Sequence, residues 1–244
     1  MISDAARGGY SVIVPNASEK PRTLIFGGTF DPPHRAHVDL PQAAARELRC
    51  DRILYIPAAI NPLKASPDVP PPTAALHRLA MLRLALRDVP NAEISTIEID
   101  RAGKSYTIDT LRALMDQASR HQGIKSKIRR GGASSVDRMH LLIGADQALD
   151  FHRWKDWREV QALATPAVML RPPWTRESFD AALMERFGAI EATQWMDRTL
   201  RTLPMVDVSA TEVRDRLHAG KAIDDLVAPQ VAAYIRLHRL YEGN

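Results

Sequence analysis

From Thr23 onward, short apolar runs rich in β-branched and aromatic residues alternate with longer stretches whose apolar positions recur at helical spacing. TLIFGG is followed by a helical pattern toward AAARELR, then by RILYIPA and the helical TAALHRLAMLRLALRD. AEISTIEI, TIDTLRALMDQAS, MHLLIGAD, a Trp-rich helical stretch and PAVMLRP continue the alternation. Such an order predicts an α/β fold, a parallel sheet with helices on both faces. Ile108, Leu111, Leu114, Met115 and Ala118 share one helical face, as do Val231, Tyr234, Ile235 and His238, and both stripes read as core-facing.

Three departures from this rhythm change the picture. A helix starting near His37 meets Pro41 at or just beyond its first turn, so the pattern predicts a kink or a late start. Residues 1–21 mix Gly8, Gly9, Pro15 and Pro21 with charges and show no sustained period, as expected of a mobile N-terminal extension. Residues 22–244 then read as a single domain, interrupted at about 120–137 by RHQGIKSKIRRGGASSVD, a basic surface insertion. Its Lys125, Lys127, Arg129 and Arg130 could hold a polyanion such as RNA, but a solvated loop is the simpler reading.

The chain has 244 residues, 45% of them hydrophobic, enough for one sizeable core. A net charge of +4 suits an anionic small molecule as readily as nucleic acid, and nucleic acid is the weaker of the two readings. Cys50 is the only cysteine, which excludes an internal disulfide and a thiolate metal site. No segment approaches the uninterrupted apolar length that crosses a bilayer, so a cytoplasmic protein without a membrane partner is expected. A homo-oligomer stays open.

The chemistry concentrates in GGTFDPPHRAH, residues 27–37. Gly27, Gly28 and Thr29 fall where the first strand should end, and ligands of parallel sheets bind at the carboxyl ends of strands. Glycines admit backbone N–H groups close to anionic oxygens, and the N-terminus of the following helix adds oriented donors. His34 and His37, three residues apart, project from one face if they lie in the first helical turn, so both imidazoles can meet one phosphate. The spacing is neither GxGxxG nor GxxxxGK[ST], and HExxH is absent, so a metal pair ranks below phosphate. Taken alone, two histidines capping a turn would be the plain alternative.

GGTFDPPHRAH resembles the GTFDPxHxGH signature of the nucleotidylyltransferase superfamily, above all that of bacterial nicotinate-nucleotide adenylyltransferases, with Ala36 where Gly is usual. VSATEVRDRL at 208–217 is similar to the same family's (I/S)SxTxxR element, GKSYTIDTL to its SYTxxTL, and LLIGADQALDFHRWKDW to its IGADxxxxxxxW run. IPAAINPLK, with Leu63 where His is common, and VMLRPPW resemble two further family segments. The resemblance implies a Rossmann-like, doubly wound parallel sheet with a small C-terminal helical part. It implies ATP binding by Gly27, Gly28, Thr29, Phe30, His34 and His37, joined by Gly144, Asp146, Ser209, Thr211 and Arg214. Lys64, Tyr106, Thr107, Trp154 and Arg171 would bind the mononucleotide. His37, His34 and Arg214 would be catalytic, no protein metal site is implied, and Mg²⁺ would arrive with ATP.

The residues also carry plainer readings. Ser209 and Thr211 are good helix N-caps, and spacing alone makes Thr107 one too, at a strand-to-helix turn. Asp146 after a strand suits ribose hydroxyls, Trp154 can stack on a flat ring, and Asp31 beside Pro32 reads as fixing the turn. The activity implied by the resemblance is transfer of AMP from ATP to nicotinate mononucleotide, giving deamido-NAD and pyrophosphate in NAD biosynthesis. A sister enzyme using nicotinamide mononucleotide or phosphopantetheine, or a nucleotide sensor that does not react, remains the alternative.

Overall fold

The structure, a computed structural model, describes residues 21–60, 71–121 and 139–242. Residues 1–20 of the expected extension, the basic insertion from 122 onward, and Lys64 lie outside the described residues.

Five strands, β1 (Thr23–Gly28), β2 (Arg52–Pro57), β3 (Ala92–Ile94), β4 (Met139–Gly144) and β5 (Thr165–Met169), form one sheet in the order β3-β2-β1-β4-β5. Every pairing is parallel. Side chains of successive strand residues alternate between two cores, as the two-residue period requires. Ile25, Leu54, Ile56, Leu141 and Ile143 enter one, with Ile108 and Leu111 of α4 (Thr107–His121) and Phe179 of α7 (Arg176–Asp197). Leu24, Phe26, Ile53, Tyr55 and Leu142 enter the other, against α1 (Arg35–Glu47) and α2 (Ala75–Ala85). Burial on both faces explains why the strands read as continuous apolar runs, and it makes the sheet doubly wound.

A third cluster joins Met81 of α2 to Val213 of α8 (Ala210–His218) and Val231, Ala232 and Ile235 of α9 (Pro229–Leu237). This is the C-terminal helical part. Val231 and Ile235 are buried as the stripe predicts, whereas His238 is exposed beyond the last helical turn.

Two expectations give way. AEISTIEI is not one strand: β3 stops at Ile94, and Ile97–Arg101 forms the short helix α3. Glu98 explains the switch, because its buried carboxylate accepts the Thr110 hydroxyl at 2.6 Å, a contact inside the molecule that a strand alternating Ile, Glu, Ile would turn outward. Helix α1 starts early, at Arg35, with His34 extended as its N-cap (φ −133°, ψ 174°). Pro41 therefore lies in the helix interior, buried on the core face, and has no N–H to give the His37 carbonyl.

The order of strands reverses between β1 and β4, which is where open parallel sheets bind ligands. Their pairing runs from Thr23–Met139 to Ile25–Leu141 and goes no further. Beyond it, Phe26–Gly28 and Leu142–Gly144 line the two sides of a cavity.

Candidate active site

The cavity has a volume of about 400 Å³. Phe26 to Thr29, His34, Ala36 and His37 form one wall, and Leu141 to Gly144 with Asp146, Trp154 and Arg171 form the opposite one. Glu98, Ser105, Tyr106 and Thr107 close a third side, and Arg153 and Lys155 complete the lining. Of the residues predicted from sequence, Gly27, Gly28, Thr29, His34, His37, Tyr106, Thr107, Gly144, Asp146, Trp154 and Arg171 are thus brought together.

Gly28 has a second reason to lack a side chain. A Cβ there would lie 2.9 Å from Cζ of Phe30, whose ring is 1% exposed in the core. Phe30 itself has φ 53°. It is not among the residues lining the cavity, and its ring packs edge-to-face with the His37 ring, centroids 5.0 Å apart.

His34 donates its backbone N–H to Nδ1 of His37 at 3.2 Å. Nδ1 being the acceptor, the proton of the neutral His37 ring belongs on Nε2. The two rings stack with centroids 3.7 Å apart. His34 is 3% exposed, and its Nδ1 is buried with no partner among the described residues. Burial, and secondarily the positive charge of Arg171, push its pKa down to about 4, so the imidazole is neutral at pH 7.

Thr29 presents a buried Oγ1 without a partner among the described residues. Its carbonyl accepts from Nη1 of Arg78 at 2.7 Å, and Arg78, 1% exposed, also donates Nε to the Thr73 carbonyl at 2.9 Å. Burial lowers the Arg78 pKa, and Asp31 and Tyr241 oppose that shift.

Across the cavity, Trp154 stacks on Phe151 with centroids 4.8 Å apart and keeps a buried Nε1 without a partner among the described residues. Asp146 accepts from Nε1 of Trp174 at 2.8 Å, and the Gly144 N–H is engaged by Gln147 at 3.0 Å. Tyr106 and Thr107 sit between α3 and α4, not after a strand, and Thr107 is the first helical residue, with the Tyr106 carbonyl accepting from Asp109 and Thr110. The expected N-cap at Thr107 is therefore one residue late.

Ser209, Thr211 and Arg214 are not in the cavity wall. Ser209 caps α8 by accepting the Glu212 N–H at 3.1 Å, and Thr211 accepts from Arg214 at 3.3 Å. Nη1 of Arg214 donates to the Asp31 carbonyl at 2.7 Å, so this group flanks the Thr29–His34 loop from outside the cavity.

Sequence reasoning passed over Glu98, Ser105, Arg153 and Lys155. Ser105 is the first residue of the SYTxxTL element itself, and Arg153 and Lys155 flank Trp154, which was the available signal. Nζ of Lys155 lies 4.9 Å from the Tyr106 ring centroid and 3.1 Å from the Asp109 carboxylate. With Arg153, Lys155 and Arg171 around it, the cavity favours an anionic ligand.

The cytidylyltransferase-like family model matches residues 25–216, from β1 through α8. The chain belongs to this cytidylyltransferase-like family. The matched span contains both the GGTFDPPHRAH loop and the Arg214 helix. Among curated relatives of this cytidylyltransferase-like chain, a "Probable nicotinate-nucleotide adenylyltransferase" from Roseiflexus sp. (strain RS-1) is 38% identical over 89% of this chain and 96% of the relative. A protein of the same name from Chromobacterium violaceum is 34% identical over 90% of this chain and 98% of the relative.

Among solved structures, Plasmodium falciparum nicotinic acid mononucleotide adenylyltransferase complexed with APC superposes with a TM-score of 0.61. It is 16% identical and covers 92% of this chain and 99% of its own. The same enzyme complexed with NaAD gives a TM-score of 0.59 at 16% identity, again over 92% and 99%. At that identity the likeness speaks to the fold.

Proposed function

We propose that the protein transfers AMP from ATP to nicotinate mononucleotide, releasing pyrophosphate and forming deamido-NAD for NAD biosynthesis. The observation that carries this reading is the paired His34 and His37 at the start of α1, facing the β1/β4 crevice opposite Trp154 and beside Tyr106. The names of its curated relatives support the same activity.

In the reaction, a 5′-phosphate oxygen of the mononucleotide attacks the α-phosphorus of ATP, a new P–O bond forms, and the bond to the pyrophosphate oxygen breaks. The electron pair leaves with pyrophosphate, and no covalent protein intermediate is needed. A phosphate nucleophile is already ionised near neutral pH, so the protein acts by positioning and by stabilising charge. His37 is assigned to the transferring phosphoryl group through Nε2–H, and His34, with the N–H groups of Gly28 and Thr29, to the phosphates of ATP.

An incoming polyphosphate works against the burial that depresses His34 and favours its doubly donating, protonated form. Ser209, Thr211 and Arg214 are assigned to the triphosphate end, reached across the Asp31 carbonyl. Trp154, Tyr106, Thr107 and Arg171 are assigned to the mononucleotide, with Trp154 offering an indole N–H at the ring. Mg²⁺ bound to the phosphates of ATP would supply charge neutralisation there. Both substrates are small and water-soluble, and no helix among the described residues is long and apolar enough to cross a membrane.

The test is pyrophosphate release with ATP and Mg²⁺, run in parallel with nicotinate mononucleotide, nicotinamide mononucleotide and phosphopantetheine. Release with nicotinate mononucleotide at a kcat/KM at least tenfold above the other two is expected. Equal or greater release with another acceptor reassigns the substrate, and none with any acceptor makes the protein a sensor.

A further inference from the structure

The loop that carries His34 is fastened from behind, and one fastening comes from the far end of the chain. Asp31 Oδ2 accepts the Thr73 N–H at 3.0 Å, and Asp31 Oδ1 accepts the Tyr241 hydroxyl at 2.5 Å. The Asp31 carbonyl takes Arg214, and the Thr29 carbonyl takes the buried Arg78. Thr73, Arg78 and Arg214 belong to the body of the fold, whereas Tyr241 lies past the end of α9.

The chain bends to deliver it. Arg239 and Tyr241 both have positive φ (48° and 61°), a conformation that side-chain-bearing residues adopt at a cost, and Leu240 N–H returns to the Ile235 carbonyl at 3.0 Å. Tyr241 is part-buried against the C-terminal core. Packing alone would be served by Phe. The hydroxyl adds a charge-assisted bond to a carboxylate whose backbone continues, three residues on, into His34.

We propose that Tyr241 is a positioning residue for the phosphate loop: by donating to Asp31 it holds Gly28–His34 in the shape that receives the triphosphate of ATP. This rests on the reading that the loop binds ATP, but not on the identity of the acceptor. Without the hydroxyl, Asp31 keeps, among the described residues, only the Thr73 N–H as a hydrogen bond to its carboxylate and can rotate, and Thr29 and His34 move with it.

The experiment compares Tyr241→Phe and Tyr241→Ala with the wild-type protein. Affinity for a non-hydrolysable α,β-methylene analogue of ATP is measured by calorimetry, alongside steady-state kinetics in both substrates and thermal midpoints. Tyr241→Phe is expected to weaken analogue binding about tenfold and to lower kcat/KM for ATP by about the same factor, the loss of one charge-assisted hydrogen bond. KM for nicotinate mononucleotide should stay within about twofold on the same reasoning.

Wild-type analogue affinity in Tyr241→Phe, with loss only in Tyr241→Ala, makes the residue a packing element and overturns the proposal. Equal weakening toward both substrates overturns it as well. If the wild-type protein binds the analogue but turns over no nicotinate mononucleotide, the acceptor assignment fails while the analogue affinities still decide the role of Tyr241. A wild-type protein that binds no analogue overturns both together.

Discussion

His34 and His37 are joined twice, by the bond from the His34 N–H to Nδ1 of His37 at 3.2 Å and by ring stacking at 3.7 Å. The bond occupies the inner nitrogen of His37, so the ring can serve as a helix cap and as a donor from Nε2 simultaneously.

Substitution separates those two jobs. His37→Asn keeps an oxygen able to accept the His34 N–H but has no donor at the Nε2 position, whereas His37→Ala lacks both. Both variants should lose about two or more orders of magnitude in kcat, the usual cost of a missing transition-state donor. Only the alanine variant should also lose about 1 kcal/mol of stability, as a lost cap does. Single-turnover rates and urea midpoints check the two parts; an asparagine variant that turns over normally removes His37 from the chemistry.

The depressed pKa of His34 has a consequence for stability. In the unfolded chain this imidazole takes a proton near its ordinary value of 6.5, while in the fold it resists protonation down to about 4. Above pH ~6.5 both states hold it neutral, and its contribution to stability is fully present. As pH falls from there toward about 4 the unfolded chain binds more protons, so the fold loses up to about 3 kcal/mol. His34→Asn removes this titration. The drop in unfolding free energy between pH 7.5 and pH 5 should therefore be larger in the wild type than in the variant. Parallel pH profiles would show that His34 is not held neutral by its surroundings.

What could be read in advance was what lies close together along the chain. Eleven residues from Gly27 to His37 contain the strand end, the glycines and both histidines, and each feature needs only its neighbours to be interpreted. The continuous apolar runs of β1, β2 and β4, alternating with helical patterns, likewise point to a parallel sheet covered on both faces. Contacts between distant segments were out of reach. The contact of the Phe30 ring with the His37 ring is not visible in the motif, which gives Phe30 only its place among the loop residues. Arg214 reaches the loop at the Asp31 carbonyl, 183 positions earlier in the chain, and no spacing reveals that. Glu98 went unnoticed because the partner that gives it a role, the Thr110 hydroxyl twelve positions on, is not visible in the local pattern.

Glu98 therefore makes the sharpest test of what the structure adds. It is 8% exposed, lines the cavity beside Ser105 and Tyr106, and accepts the Thr110 hydroxyl at 2.6 Å. Burial raises its pKa, and hydrogen bonds from Thr110 and Ser105 and the charge of Arg101 oppose the rise. Arg101 in turn donates to the Thr110 oxygen at 3.0 Å, so α3 and α4 are tied on both sides of the Tyr106–Thr107 turn. Removing the carboxylate in Glu98→Ala leaves the buried Thr110 hydroxyl with only the Tyr106 carbonyl at 3.4 Å, takes an acceptor from the part-buried Ser105 hydroxyl, and lets that turn move. KM for the mononucleotide should rise about tenfold, the scale of one or two lost buried hydrogen bonds, with KM for ATP nearly unchanged. Glu98→Gln retains an acceptor oxygen for Thr110 and should keep most of the wild-type KM. Steady-state kinetics in both substrates decide the matter: a glutamine variant as impaired as alanine would mean that the negative charge, not the hydrogen bond, organises this side of the cavity.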